Sequence, residues 1–321
     1  MMNRLVLLVL GCAAMIVSAS AMAKERQTLT IYAAGTLAGP LHEINELFEH
    51  ANPGVTVEPQ FGGSVMMAKR ITDLHQPADI LAVADYSVIP KYLFAHQGKP
   101  ALAGWYVGFA RNGITFVYTP RSKGAADITS KNWHEVLARP GVEIGRSNPD
   151  TDPSGYQTLQ MLSLAETYYK KPGLAERVLA NAPTSNIRDT ETDLISSLQL
   201  GQIDYLAIYR SDATQHHLES IGLPSAIDLS DPTLAHTYAS VVAHTKNGDL
   251  PGKPVVYAAT IPAGASNPAL AAKYIAFMLG HDGQAVFARD GFGMMNPPLA
   301  VNGNRAPEAV KAMVKPWPGS S

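Results

Sequence analysis

Three short turns in the 321-residue chain combine small residues and hydroxyls in a way that could hold an anion. They are Ala34-Gly35-Thr36, Gly63-Ser64-Val65 and Asp152-Pro153-Ser154-Gly155. Each precedes a stretch with helical spacing, and the first turn of a helix carries unpaired N–H groups and the positive end of the helix dipole. Such donors, with a hydroxyl beside them, form a ready receptor for negative charge. The plainer reading of Thr36, Ser64 and Asp152 is that each only caps its helix, which these residue types commonly do. Three such turns, each after a strand, favour a shared site, because ligands of open α/β sheets bind at the strands' carboxyl edge.

Catalytic signatures are absent. The chain has no G-x-S-x-G, H-E-x-x-H, Walker A or G-x-G-x-x-G motif. Ten histidines occur, but only His216-His217 are adjacent. Neighbours in sequence face different sides of a helix, so this pair reads as solvated surface rather than a metal site. Met66-Met67 and Met294-Met295 read as core filler or a contact between lobes. Asp189, Glu191 and Asp193 alternate about a helix start, where acids complement the dipole.

The elements that would position these turns alternate between strand and helix. Residues 29–34 read as a buried strand, and Leu41, Ile44, Leu47 and Phe48 recur at helical spacing. A second strand starts at 55–57. Val65, Ala68, Ile71 and Leu74 mark another helix, and 79–84 closes the unit as a third strand. This is the grammar of a parallel, doubly wound α/β sheet. Strands are expected at 106–109 and 114–118, then a second α/β set: strand 142–145, a helix opened by Asp152, helix 191–200 and strand 204–209. Strand 254–261 and helices 269–279 and 283–289 follow. The arrangement implied is two α/β lobes joined by crossings near 107–118 and 245–257. Lobe one comprises 24–110 and 256–321, lobe two 111–255. The Pro/Gly-rich end from Pro316 onward reads as a linker-like tail.

The first residues set the compartment. Arg4 precedes an apolar run from Leu5 to Val17, and Ala21-Met22-Ala23 offers a small-residue cleavage site, which together describe a secretory signal over 1–23. The only cysteine, Cys12, lies inside that segment. Leu10-Gly11-Cys12 resembles a lipoprotein anchor, but the apolar run continues past it. Beyond the signal the chain therefore has no thiol for disulfides, catalysis or metal binding. A formal net charge of −2 and the lack of a Lys/Arg cluster argue against a nucleic-acid partner.

At these same residues the chain resembles the tungstate/molybdate-binding proteins of ABC importers, in the archaeal-type branch that coordinates the metal with carboxylates. The likeness is carried by Tyr32-Ala33-Ala34-Gly35-Thr36-Leu37, by Gly62-Gly63-Ser64-Val65, by 84–90 (ADYSVIP) and by 144–156 (IGRSNPDTDPSGY). It continues in 201–205 (GQIDY), 208–211 (IYRS) and Gln215-His216. The resemblance implies a two-lobed periplasmic-binding-protein fold of type II, with the ligand in a cleft between the lobes, and a monomer without a resident cofactor. The partner implied is the membrane permease of an ABC importer.

Carried over residue by residue, the resemblance implies oxyanion contacts from Gly35, Thr36 and Ser64 in lobe one. Lobe two would supply Asp152, Pro153, Ser154, Glu191 and Tyr209. Asp152 and Glu191 would be the ligands to molybdenum or tungsten, with Asp189 or Asp193 as alternatives to Glu191. The family usually has serine where Thr36 stands. Carboxylates around a dianion oppose simple Coulomb reasoning. However, Mo(VI) and W(VI) are hard Lewis acids that can expand beyond four oxygen ligands, whereas sulfate and phosphate cannot. The acids would then attract one class of anion and repel the other. Two other readings are a binding protein for sulfate, phosphate or chromate, and a secreted hydrolase using Asp152, Glu191 or Ser64.

Overall fold

The apolar alternation along the chain folds into two sheets. The computed structural model describes residues 26–94, 98 and 100–318, so the signal segment 1–23 and Cys12 lie outside the described residues. In chain order the strands are β1 (Gln27–Ala34), β2 (Val55–Gly62), β3 (Ile80–Val83), β4 (Tyr106–Arg111), β5 (Ile114–Tyr118), β6 (Ile144–Ser147), β7 (Ile187–Arg188), β8 (Tyr205–Tyr209), β9 (Glu219–Ser220), β10 (Val242–Thr245), β11 (Gly248–Pro251), β12 (Val256–Thr260), β13 (Gly293–Val301) and β14 (Lys315–Pro316). The first sheet has the order β14-β13-β4-β12-β3-β1-β2 and the second β7-β6-β8-β5-β9. A separate hairpin joins β10 and β11. The result is the two-lobed α/β fold.

The sheets are mixed rather than purely parallel. β1 runs parallel to β2 and β3, while β12 is antiparallel to both β3 and β4. The cause lies in the path of the chain. β4 leaves the first sheet at Arg111 and only Asn112-Gly113 separates it from β5 of the second. β12 starts where the chain comes back, so it must run against the strands that end there. The parallel strands β1, β2 and β3 therefore present their carboxyl ends to the other lobe, whereas β13 and β14 run the opposite way.

Leu29, Ile31, Leu41, Ile44, Phe48, Ile275 and Phe287 fill the layer between the first sheet and its outer helices, each at most 1% exposed. Burial of each such side chain contributes about 1.5–3 kcal/mol. Leu47 and Leu74, expected inward from their spacing, are instead 40% and 63% exposed. The helix carrying Leu74's neighbours ends at Thr72, so Leu74 has left the periodic face. Residues 191–200 form a 3₁₀ turn, Thr192–Leu194, followed by the helix Ile195–Gln199.

β13 is the largest element that the sequence reading omitted. Its Asn296-Pro297-Pro298 stretch argues against a strand. The chain accommodates it in a register shift between Met294 and Leu299, where β13 leaves and rejoins β4. The tail from Pro316 is no linker at its start: β14 pairs with β13, and the Trp317 ring lies 4.9 Å from that of Tyr86.

Candidate functional site

The carboxyl ends of β6 and β8 place the lobe-two candidates. After β6, the turn delivers Asp152 to the N-cap of the helix Pro153–Tyr169, where its Oδ1 accepts from the Ser154 N–H at 2.7 Å. Proline at the first helical position suits this, having no N–H to leave unpaired. Ser147, the last residue of β6, puts its Oγ 2.5 Å from Ser154 Oγ and donates to Asp152 Oδ1 at 3.3 Å. Ser154 Oγ in turn donates to Glu191 Oε2 at 3.0 Å. Two carboxyls from distant segments thus converge on one serine, and Ser147, Asp152, Ser154 and Glu191 are each no more than 3% exposed. Asp189 and Asp193 are exposed and lie at the mouth of the cleft.

Tyr209 ends β8 and is fully buried. Its hydroxyl donates to Gln157 Oε1 at 2.7 Å, on the same helix as Ser154. Burial, followed by the nearby Tyr257, Asp152 and Glu191, pushes the Tyr209 phenol well above its usual range, so it stays a donor. Gln157 Nε2 is buried without a hydrogen-bond partner among the described residues.

Lobe one faces this cluster across a tight seam. Thr36 lies in the turn after β1, and its Oγ1 is 2.9 Å from the hydroxyl of Tyr257. Tyr257 accepts from Asn112 Nδ2 at 3.3 Å and sets its ring 5.9 Å from that of Tyr209. Gly35 and Gly63 sit where the lobes touch. A Cβ on Gly35 would come 2.9 Å from Thr192 Oγ1, and one on Gly63 would come 2.4 Å from the Thr151 carbonyl oxygen. The Met66 N–H also donates across the seam to Thr151 O at 3.3 Å. Ser64 is fully buried and accepts from the Ala84 N–H at 3.0 Å.

The capping reading holds for one of three turns. Asp152 caps its helix, whereas Thr36 lies inside a 3₁₀ turn and Ser64 begins a helix whose N-cap is Gly63. Above the cluster, a cleft of about 790 Å³ opens between the lobes, bordered by Gly35, Phe61 and Met66 on one side and Thr192, Asp212 and His216 on the other. Of the eight expected contact residues only Gly35 borders it, and the other seven are buried away from it. Both members of His216-His217 are exposed. Among the described residues no three His, Cys, Asp or Glu side chains stand together as a cage for a metal ion.

Electrostatics is the distinctive property of the cluster. Burial raises the Asp152 carboxyl to about 6, against the hydrogen bonds from Ser154 and Ser147 that lower it. Burial and the charge of Asp152 push Glu191 well above its ordinary range. No ion pair involves either acid among the described residues. Lys253 pairs with the buried Asp85 at 3.1 Å, and Asp85 Oδ2 also accepts from the Tyr156 hydroxyl at 2.7 Å. Ser147, Tyr257, Asn112 and Gln157 were missed as site residues. A tyrosine within the apolar run of β12 was the one visible sign, since a buried phenol needs a partner.

The chain matches the family described as bacterial extracellular solute-binding protein over residues 29–293. It is 37% identical over 293 residues to an uncharacterized solute-binding protein of Petrotoga mobilis, covering 89% of this chain and 90% of the relative. It is 36% identical over 320 residues to the molybdate/tungstate-binding protein WtpA of Thermococcus kodakarensis, covering 91% and 88%. In three dimensions it superposes on the periplasmic molybdate-binding protein of Azotobacter vinelandii with a TM-score of 0.59 at 18% identity, over 82% of this chain and 98% of that one.

Proposed function

The chain belongs to the bacterial extracellular solute-binding proteins, and from that premise we propose that it captures molybdate or tungstate and delivers it to an ABC importer. Proteins of this family bind and carry, so the hydrolase reading is set aside. The observation that carries the proposal is the convergence of Asp152 and Glu191 on Ser154, both acids buried and neither paired with a cation. A simple dianion pocket built on N–H groups and hydroxyls gains nothing from two carboxyls. An oxyanion whose central atom accepts further oxygen ligands does gain. Asp152 and Glu191 would bind that atom. Gly35, Thr36, Ser64, the Pro153-Ser154 turn and Tyr209 would surround the oxo atoms, with the spare Gln157 N–H as a further donor. No resident cofactor has a role in this reading.

A cleaved signal segment over 1–23 would put this task in the periplasm, carried out by a monomer. The decisive experiment is calorimetry on Asp152→Asn, in parallel with the wild type. Asparagine is as good an N-cap as aspartate, so the helix keeps its start and only the charge is lost. Coordination demands that molybdate and tungstate affinity fall at least about tenfold, or about 1.4 kcal/mol. Tighter molybdate binding by the variant would overturn coordination, because relief of repulsion would then dominate. A wild type whose melting temperature rises with sulfate or phosphate, and with neither metal oxyanion, would instead establish a receptor for another oxyanion.

A further inference from the structure

A third acid stands at this seam, and neither the resemblance nor the capping argument assigns it. Asp212 lies in the helix Arg210–Gln215 that follows Tyr209, is 1% exposed, and borders the interlobe cleft. Both of its carboxyl oxygens are buried without a hydrogen-bond partner among the described residues. A buried carboxyl with neither oxygen satisfied is costly, by several kcal/mol if charged. Groups of this kind in native proteins call for an account in terms of function or a missing partner.

The surroundings restrict what that partner can be. Asp152 and Glu191 face Asp212 with like charge, the Tyr257 hydroxyl faces it from β12, and Asp193, Asp290 and His216 border the same cleft. No lysine or arginine pairs with Asp212 among the described residues. Three carboxyls in one cation-free interior cannot all be ionised. Asp212 is also no third ligand to a shared central atom, because the three acids do not gather closely enough to cage one. A neutral carboxyl, in contrast, is a hydrogen-bond donor, and an oxyanion offers oxygens that need donors.

We propose that Asp212 is a further contact residue of the cargo site, donating its carboxyl O–H to an oxo oxygen of the bound oxyanion. This deepens the molybdate/tungstate reading and rests on it. Asp152 and Glu191 act on the central atom, whereas Asp212 acts on the rim of oxygens. Burial and the charge of Asp152 raise Asp212 well above its ordinary range, against the backbone groups of Asp212 and Tyr209 that lower it, and a bound dianion would raise it further.

The test compares wild type, Asp212→Asn and Asp212→Ala by calorimetry with sodium molybdate, alongside ligand-free melting. Asparagine keeps shape and offers an N–H donor, so its affinity should stay within about threefold of wild type. Alanine offers none and should lose about tenfold or more, the loss expected for a hydrogen bond to a charged group. Both variants should melt higher than wild type without ligand, because an unsatisfied buried carboxyl is gone. Higher stability together with weaker binding is an outcome that a purely structural role does not give. Equal or tighter binding by Asp212→Ala overturns the inference while leaving the oxyanion reading intact. Equal losses in both variants do so too, by making the carboxylate an acceptor or ligand. Should the alanine variant fail to fold, the asparagine variant decides by pH: wild-type affinity must fall more steeply than the variant's as pH rises. If the wild type binds neither molybdate nor tungstate, the reading beneath falls and takes this inference with it.

Discussion

At the scale of single residues, the candidate site is a set of hydroxyls and acids whose pKa values burial shifts upward. A carboxyl whose folded pKa is raised binds its proton more tightly in the folded chain than in the unfolded one. Its contribution to stability is therefore complete below the unfolded value and lost as pH rises through the folded value. For Asp152 that window runs from the ordinary 3.8 up through about 6, and Glu191 and Asp212 extend it upward. The ligand-free protein should thus melt at lower temperature as pH is raised from about 5 to 8, and Glu191→Gln should flatten that slope. A melting temperature that climbs over the same range would show the acids to be exposed in solution. Ser64→Ala should cost stability and affinity together. Ser64 accepts from the buried Ala84 N–H, so its loss strands that donor at about 1–3 kcal/mol, read by denaturant unfolding. Unchanged stability would place the Ala84 N–H against water instead.

At the scale of elements, the strand–turn–helix junctions do the positioning, and they were the most legible part of the sequence. The turn at Asp152 declared itself through Pro at the first helical position and an acid before it, and the helix starts there. β1, β3, β5 and β8 were visible as apolar runs. What the pattern could not disclose was pairing: nothing local to β12 says that it runs antiparallel, and the prolines of β13 concealed a strand. Glu191 was one of three acids equal in sequence, and only burial separates it from Asp189 and Asp193. Asp212 gave no signal at all, because an acid in the first turn of a helix is ordinary. The Gly63 turn makes an element-scale prediction. Its backbone, at φ −58 and ψ 134, suits any residue, and the obstruction to a side chain comes from Thr151 and Asp189 of the other lobe. Gly63→Ala should leave ligand-free melting within about 1 °C while weakening molybdate binding by about tenfold or more. A large fall in melting temperature would mean that the glycine serves its own lobe.

At the scale of the whole molecule, two sheets meet along a seam of polar contacts, among them Met66 N–H to Thr151 O and Tyr156 to Asp85. Asn112, between β4 and β5, donates to Ser211 Oγ at 2.7 Å and to the Tyr257 hydroxyl, and Tyr257 meets Thr36. This belt of hydroxyls lies beside the crossing. The contacts of Gly63 with Thr151 lie between the tips of other turns, where opening must separate them. Rotation about the crossings would expose the cluster, and cargo bridging Asp152 with Thr36 and Ser64 would draw the lobes together. X-ray scattering should accordingly record a smaller radius of gyration with saturating molybdate than without it. Identical curves would limit the motion to local movement at the seam.

The cation-free interior of that seam also bears on fidelity of signalling. A transporter that reads its receptor by outline receives a false message whenever the receptor shuts on nothing. Shutting this one empty takes Asp152, Glu191 and Asp212 out of water with no positive partner, which drives protons onto them and costs free energy. The proposed cargo, with an electron-poor centre and a rim of oxygens, would reverse that penalty by using the same acids. On the proposed reading the carboxyls would act as a lock against idle closure, so that the shut form would report an occupied site.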